Sequence, residues 1–224
     1  MTITTEAKTS GREFLEDLLA TRPVMHEPDP EIMSNHRIAP RTEREEDALA
    51  AVEDPLDFVI THSQIEAIMD SAKDMLQQIA AAPAALAAAV KGLTDAQLDT
   101  PYRDGGWTPR QIVHHIADSH MNAYIRFKLC MTEEQPTVKP YNEKLWAETA
   151  DGKTAPVGVS LSLIDTLHNR WVQFLRSIDP GAFGRKVMHP ENGPMTLTEM
   201  LQLYSWHGRH HTAHITGLRQ RMGW

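Results

Sequence analysis

The sequence is short of the features that would assign it to several common classes. It has one cysteine, Cys130, so no internal disulfide framework can form, and the chain suits a reducing compartment such as the cytoplasm. It has no run of about 18 apolar residues of the kind that spans a bilayer. Its opening residues, MTITTEAKTSGREF, carry no apolar core or cleavage site of the secretory type. It also lacks a basic excess: the formal charge is −8, and lysine and arginine are scattered. Nucleic acid is therefore not an expected partner, and neither is a membrane.

What remains has the balance of a soluble globular domain, with 41% hydrophobic and 23% charged residues. Residues 1–54 stand apart. They are rich in Thr, Glu, Arg and Pro and show little apolar periodicity, so an extended arm is expected, with one short helix at 43–52. His26 and His36 fall there and read as surface residues.

From residue 55 onward the pattern is helical. Ser63 with Glu66 forms a capping pair before a long apolar stripe through Met75 and Ile79, which Pro83 is expected to interrupt. Thr94 with Gln97 caps a short turn. Thr108-Pro109-Arg110-Gln111 opens a second long helix running to about Met131. A proline-bearing stretch, EEQPTVKPYNEKLWAETADGKTAP, is long for a connection, so it reads as a functional loop or a flap. A third helix covers 160–178. Asn192-Gly193 suggests a small hairpin, and Thr196 with Glu199 opens the last helix. The expected fold is all-α: a four-helix bundle over 55–224 with a small hairpin before the last helix.

The unusual feature is histidine. There are 12, and seven fall in two stretches: His114, His115 and His120, then His207, His210, His211 and His214. Residues four apart share a helix face and can converge on one ion. The last helix offers two such pairs, 207/211 and 210/214. Its apolar stripe, with Leu201, Tyr204, Ile215 and Leu218, places His207 and His211 inward. A third ligand would come from the second helix, where periodicity leaves His115 and His120 both open. His115 shares a polar face with Ser119, Asn122 and Arg126; His120 lies on the apolar stripe. An accidental cluster of exposed histidines is the plain alternative.

GGWTPRQIVHHIADSHMNAYIRFK together with LYSWHGRHHTAHITGL resembles the DinB-like superfamily, and specifically its YfiT branch. LTDAQLDTPYRDGGWT and HPENGPMTLTEML are similar to it as well. In that family the first metal-binding histidine stands eight residues after the tryptophan that opens its helix, which implies His115. The family's i, i+4 pair corresponds to His207 and His211. The resemblance implies one divalent ion per chain, zinc first and nickel as the alternative, in a homodimeric enzyme acting on small molecules. Three imidazoles leave a fourth position open, where a water would be acidified or a thiol held as thiolate. The expected reaction is thiol S-transfer from a low-molecular-weight thiol to an electrophile. Metal-assisted hydrolysis is the alternative, and a non-catalytic bundle braced by a structural metal is a third.

Helix geometry adds Asn122, Arg126 and Tyr204 as candidate catalytic residues. Asp118 could support a ligand's free ring nitrogen. Glu143, Glu148 and Asp151 are loop carboxylates able to close the site. His168 reads as a hydrogen-bonded core histidine, Trp107, Trp171 and Trp206 as packing, His189 as a turn residue and Cys130 as inert.

Overall fold

The computed structural model describes residues 62–224, with side chains from residue 72 onward. The arm expected at 1–54 and the side chains of the Ser63–Glu66 cap lie outside the described residues. Four long helices form the bundle: α1 (His62–Val90), α3 (Pro109–Thr132), α6 (Val157–Ser177) and α7 (Leu197–Met222). Three short helices lie between them: α2 (Asp95–Leu98), α4 (Glu143–Ala147) and α5 (Ala150–Thr154). No described helix is long and apolar enough to cross a membrane.

Local chemistry sets most boundaries. Thr94, Thr108 and Thr196 each close the expected capping box, with Gln97, Gln111 and Glu199 as reciprocal partners. The expected hairpin is present, β1 (Lys186–His189) pairing antiparallel with β2 (Gly193–Thr196). Gly193 takes φ +73°, a conformation that glycine adopts without a Cβ penalty. The long connection packs back on this hairpin: Val138 N–H donates to the Met188 carbonyl, and Met188 N–H to that of Pro136.

Two expectations need correction. Helix α6 begins at Val157 rather than Ser160, with the extended Pro156 at its N-cap position and no side-chain capping bond. Helix α1 runs unbroken through Pro83. A proline removes one helical hydrogen bond without necessarily ending the helix, and here the ring is buried.

The core divides into two apolar clusters. One holds Met75, Ile79, Phe127, Trp171, Leu175, Leu201 and Tyr204; the other holds Leu86, Ile112, Ile116, Ile164 and Ile215. The order of these residues along each helix shows that α1 and α7 run one way, and α3 and α6 the other. Between the clusters lies a polar layer containing His115, His120, His168 and His207, all buried. Gly208 keeps the helices close there, since a Cβ would stand 3.2 Å from the Ala82 Cβ and 3.5 Å from His120 Cε1.

Candidate metal centre

His115 leaves α3 and His207 leaves α7, and their Nε2 atoms face each other at 3.3 Å. His211, one turn beyond His207, completes a trio whose ligand atoms all lie within 4.8 Å of one another. Two nitrogens held about 2.1 Å from a tetrahedral ion stand about 3.4 Å apart, so this set fits a divalent metal. His115 and His207 are 3% and 2% exposed, and Nδ1 of His211 is shielded from solvent. The indole of Trp107 walls the trio, 4.6 Å from the His115 ring and 6.0 Å from that of His211.

The other histidines take different places. His114 turns away, with Nδ1 2.7 Å from Ser160 Oγ and Nε2 3.1 Å from the Ala155 carbonyl, fastening α3 to the start of α6. His120 stays outside the trio and meets the far side of His207, Nε2 to Nδ1 at 3.1 Å. His168 is a hydrogen-bonded core histidine, touching His120 and the Ile79 carbonyl at 2.7 Å each. Burial holds both below the ordinary imidazole range, and for His120 the neighbouring His168 and His115 push further the same way. His189 accepts from the Glu191 N–H at 3.3 Å as part of its turn.

A second trio, His210, His211 and His214, also lies within 4.8 Å. It shares His211 with the first, and His210 and His214 are half-buried. Their rings stack on Trp206 and Tyr102, centroids 4.2 and 4.1 Å apart. Burial lowers both, His214 to about 4, with His210 and Arg103 adding to it.

The polar candidates separate. Tyr204 is buried, its ring 5.9 Å from His207 and its hydroxyl 3.5 Å from Arg126 Nη1. Burial raises its pKa, while Arg126 and Ser119 draw it back. Arg126 also donates to the Lys139 carbonyl at 3.0 Å. Asn122 is occupied on its own helix, donating to the Asp118 carbonyl at 2.9 Å. Asp118 is half-buried and pushed up to about 6, by burial first and then by Asp151. Glu148 spends its oxygens on Gln111 and Lys153, both at 3.0 Å. Among the described residues, no carboxylate joins the first trio within its 4.8 Å limit.

Tyr141 was not legible as a site residue. Its hydroxyl is buried and approaches Ser119 Oγ without closing a hydrogen bond of 3.5 Å or less. The long, unexplained loop that contains it was the available signal.

Residues 78–215 match the DinB superfamily. The chain belongs to that superfamily. Within the DinB superfamily, a Bacillus mycoides protein (strain KBAB4) is 57% identical over 149 residues, spanning 66% of this chain and 86% of its own length. A Bacillus cereus protein (strain B4264) is 55% identical over the same share of each chain. Both are named "Putative metal-dependent hydrolase". YfiT from Bacillus subtilis is described as a probable metal-dependent hydrolase with an unusual four-helix bundle topology. It superposes with a TM-score of 0.68 at 50% identity, covering 75% of this chain and 92% of that one.

Proposed function

We propose that this chain is a metal-dependent enzyme whose divalent ion is held by His115, His207 and His211, with a fourth position open to a small molecule. The observation that carries the proposal is the pair of buried Nε2 atoms 3.3 Å apart on opposing helices, completed by His211. The names of the similar Bacillus proteins support it. Zinc is the ion proposed, with nickel as the alternative, since both accept imidazole. When bound, the ion would polarise an electrophile or activate a nucleophile.

The chain's own residues would do the rest. Tyr204 keeps its proton at neutral pH and can donate to a substrate oxygen. Arg126 supplies positive charge beside it, and the shielded hydroxyls of Ser119 and Tyr141 add donors for an anionic or carbonyl group. Asn122 uses one amide hydrogen on the Asp118 carbonyl, and its second amide hydrogen or its Oδ1 could meet a substrate.

The reaction proposed is thiol S-transfer from a low-molecular-weight thiol to an electrophilic small molecule. Its support is the motif resemblance together with a cationic, hydroxyl-lined flank suited to a thiol's carboxylate. Hydrolysis is the second reading, favoured by the names of the relatives. The test is to load the chain with zinc and supply a fluorogenic electrophile with glutathione, and separately a panel of esters and amides without thiol. A thioether product that disappears in His115→Ala supports transfer. Thiol-independent cleavage, lost in the same variant, supports hydrolysis instead. Neither product, with stability collapsing on metal removal, leaves a structural metal.

A homodimer belongs to the same proposal. Leu145, Trp146, Val159 and Leu163 are large apolar side chains left exposed, suited to covering by a second copy. Sedimentation velocity of the full chain decides it.

A further inference from the structure

The centre proposed above makes no use of His120, His168 or the Ile79 carbonyl, yet all three belong to one hydrogen-bonded line that ends on it. In an α-helix the N–H of residue 83 would bond the carbonyl of residue 79. Pro83 has no N–H, so the Ile79 carbonyl lacks its helical donor. His168 Nδ1 reaches that oxygen at 2.7 Å.

A carbonyl can only accept, so His168 Nδ1 carries the proton. In a neutral imidazole one nitrogen donates and the other accepts. His168 Nε2 therefore accepts, and its partner is His120 Nδ1 at 2.7 Å. That leaves His120 Nε2 as an acceptor for His207 Nδ1, 3.1 Å away. His207 is thus protonated on Nδ1, and the lone pair of its Nε2 faces His115 Nε2. One fixed acceptor sets three tautomers in series.

We infer that the Ile79 carbonyl freed by Pro83, with His168 and His120, forms a tautomer relay that presents His207 Nε2 as a metal ligand. His120 and His168 are positioning residues in this arrangement. The inference rests on the reading of His115, His207 and His211 as the metal centre. The relay takes one group from each long helix: Ile79 on α1, His168 on α6, His120 on α3 and His207 on α7. The orientation of the ligand is thereby tied to the packing of the whole bundle. The relay also accounts for two costly features. Buried polar rings between apolar clusters are tolerated because each ring nitrogen of His120 and His168 is bonded. The carbonyl freed by a proline inside a long helix is satisfied by His168 rather than left unpaired.

The test combines imidazole ¹⁵N NMR of the zinc-loaded full chain with zinc affinity by chelator competition. Long-range ¹H–¹⁵N correlations should place the proton on Nδ1 of His168, His120 and His207. Because that measurement needs no variant, it stands even where a substitution fails to fold. His120→Leu and His168→Leu should each weaken zinc binding about 10–100-fold while keeping the wild-type helical signal in chelator. His168→Gln, able to donate to Ile79 and accept from His120, should recover part of the loss. Pro83→Ala returns a helical donor to the Ile79 carbonyl and should shift the His168 Nδ1–H resonance. An Nε2–H proton on any of the three rings in the loaded protein, or wild-type affinity in both leucine variants, overturns the relay. A wild type that takes up neither zinc nor nickel, or a His115→Ala variant that keeps the metal, instead overturns the metal centre. The tautomers of the metal-free protein stay readable in that case, so the two failures are distinguishable.

Discussion

The Nε2 atoms of His115 and His207 oppose each other at 3.3 Å between two antiparallel helices, a separation suited to two ligands of one tetrahedral ion. Wild-type protein should therefore carry about one equivalent of divalent metal per chain. His115→Ala, His207→Ala and His211→Ala should each lose it, since two imidazoles make a weak site. His210→Ala and His214→Ala should retain it. Metal analysis after exhaustive dialysis reads all five, and loss in His210→Ala, His211→Ala and His214→Ala, with metal retained in His115→Ala and His207→Ala, would move the centre to the second trio.

Tyr204→Phe and Arg126→Ala should leave metal content unchanged and lower turnover. A hydrogen bond to a charged group contributes about 1.5–3 kcal/mol, which corresponds to about 10–100-fold in rate. Turnover unchanged in both variants would remove this flank from the reaction.

The metal-free protein should lose stability as pH falls from about 6.5 towards 4. Burial lowers His120, His168, His210 and His214 below the ordinary imidazole value. In this window the unfolded chain binds more protons than the folded one, so stability is fully present above about 6.5 and declines with acid. Asp118, raised to about 6, has the opposite sign, since its neutral form favours the folded state below that pH. Four groups against one leave a net acid loss. Thermal melts in chelator from pH 7 to pH 4.5 test the sign, and a melting temperature that rises on acidification contradicts it.

Cys130 should resist thiol reagents until the chain unfolds. It is 0% exposed, and burial pushes its thiol up to about 11 against the pull of Arg185. Ellman's reagent should react with native protein only at the rate of unfolding and with denatured protein at once. Prompt labelling of the native chain would show that α3 opens there.

The fold was largely legible because its determinants are local. Capping boxes at Thr94, Thr108 and Thr196, the Asn192-Gly193 turn and the apolar stripes depend on residues within a few positions of one another. The face carrying His207 and His211 was legible for the same reason, since helix periodicity fixes what points inward. Pattern alone favoured His115 over His120 only modestly on the second helix, and the tryptophan spacing of the family resemblance was needed to choose.

Only the tertiary structure showed that His120 belongs to the same polar layer without joining the trio, because that depends on which nitrogen of His207 each ring meets across a helix interface. Pro83 shows the difference most clearly. The sequence states that residue 83 has no N–H and that the Ile79 carbonyl loses a helical partner. What takes the place of that partner is a histidine 89 positions away in the chain. Long-range packing decides such a contact, and no local propensity encodes it.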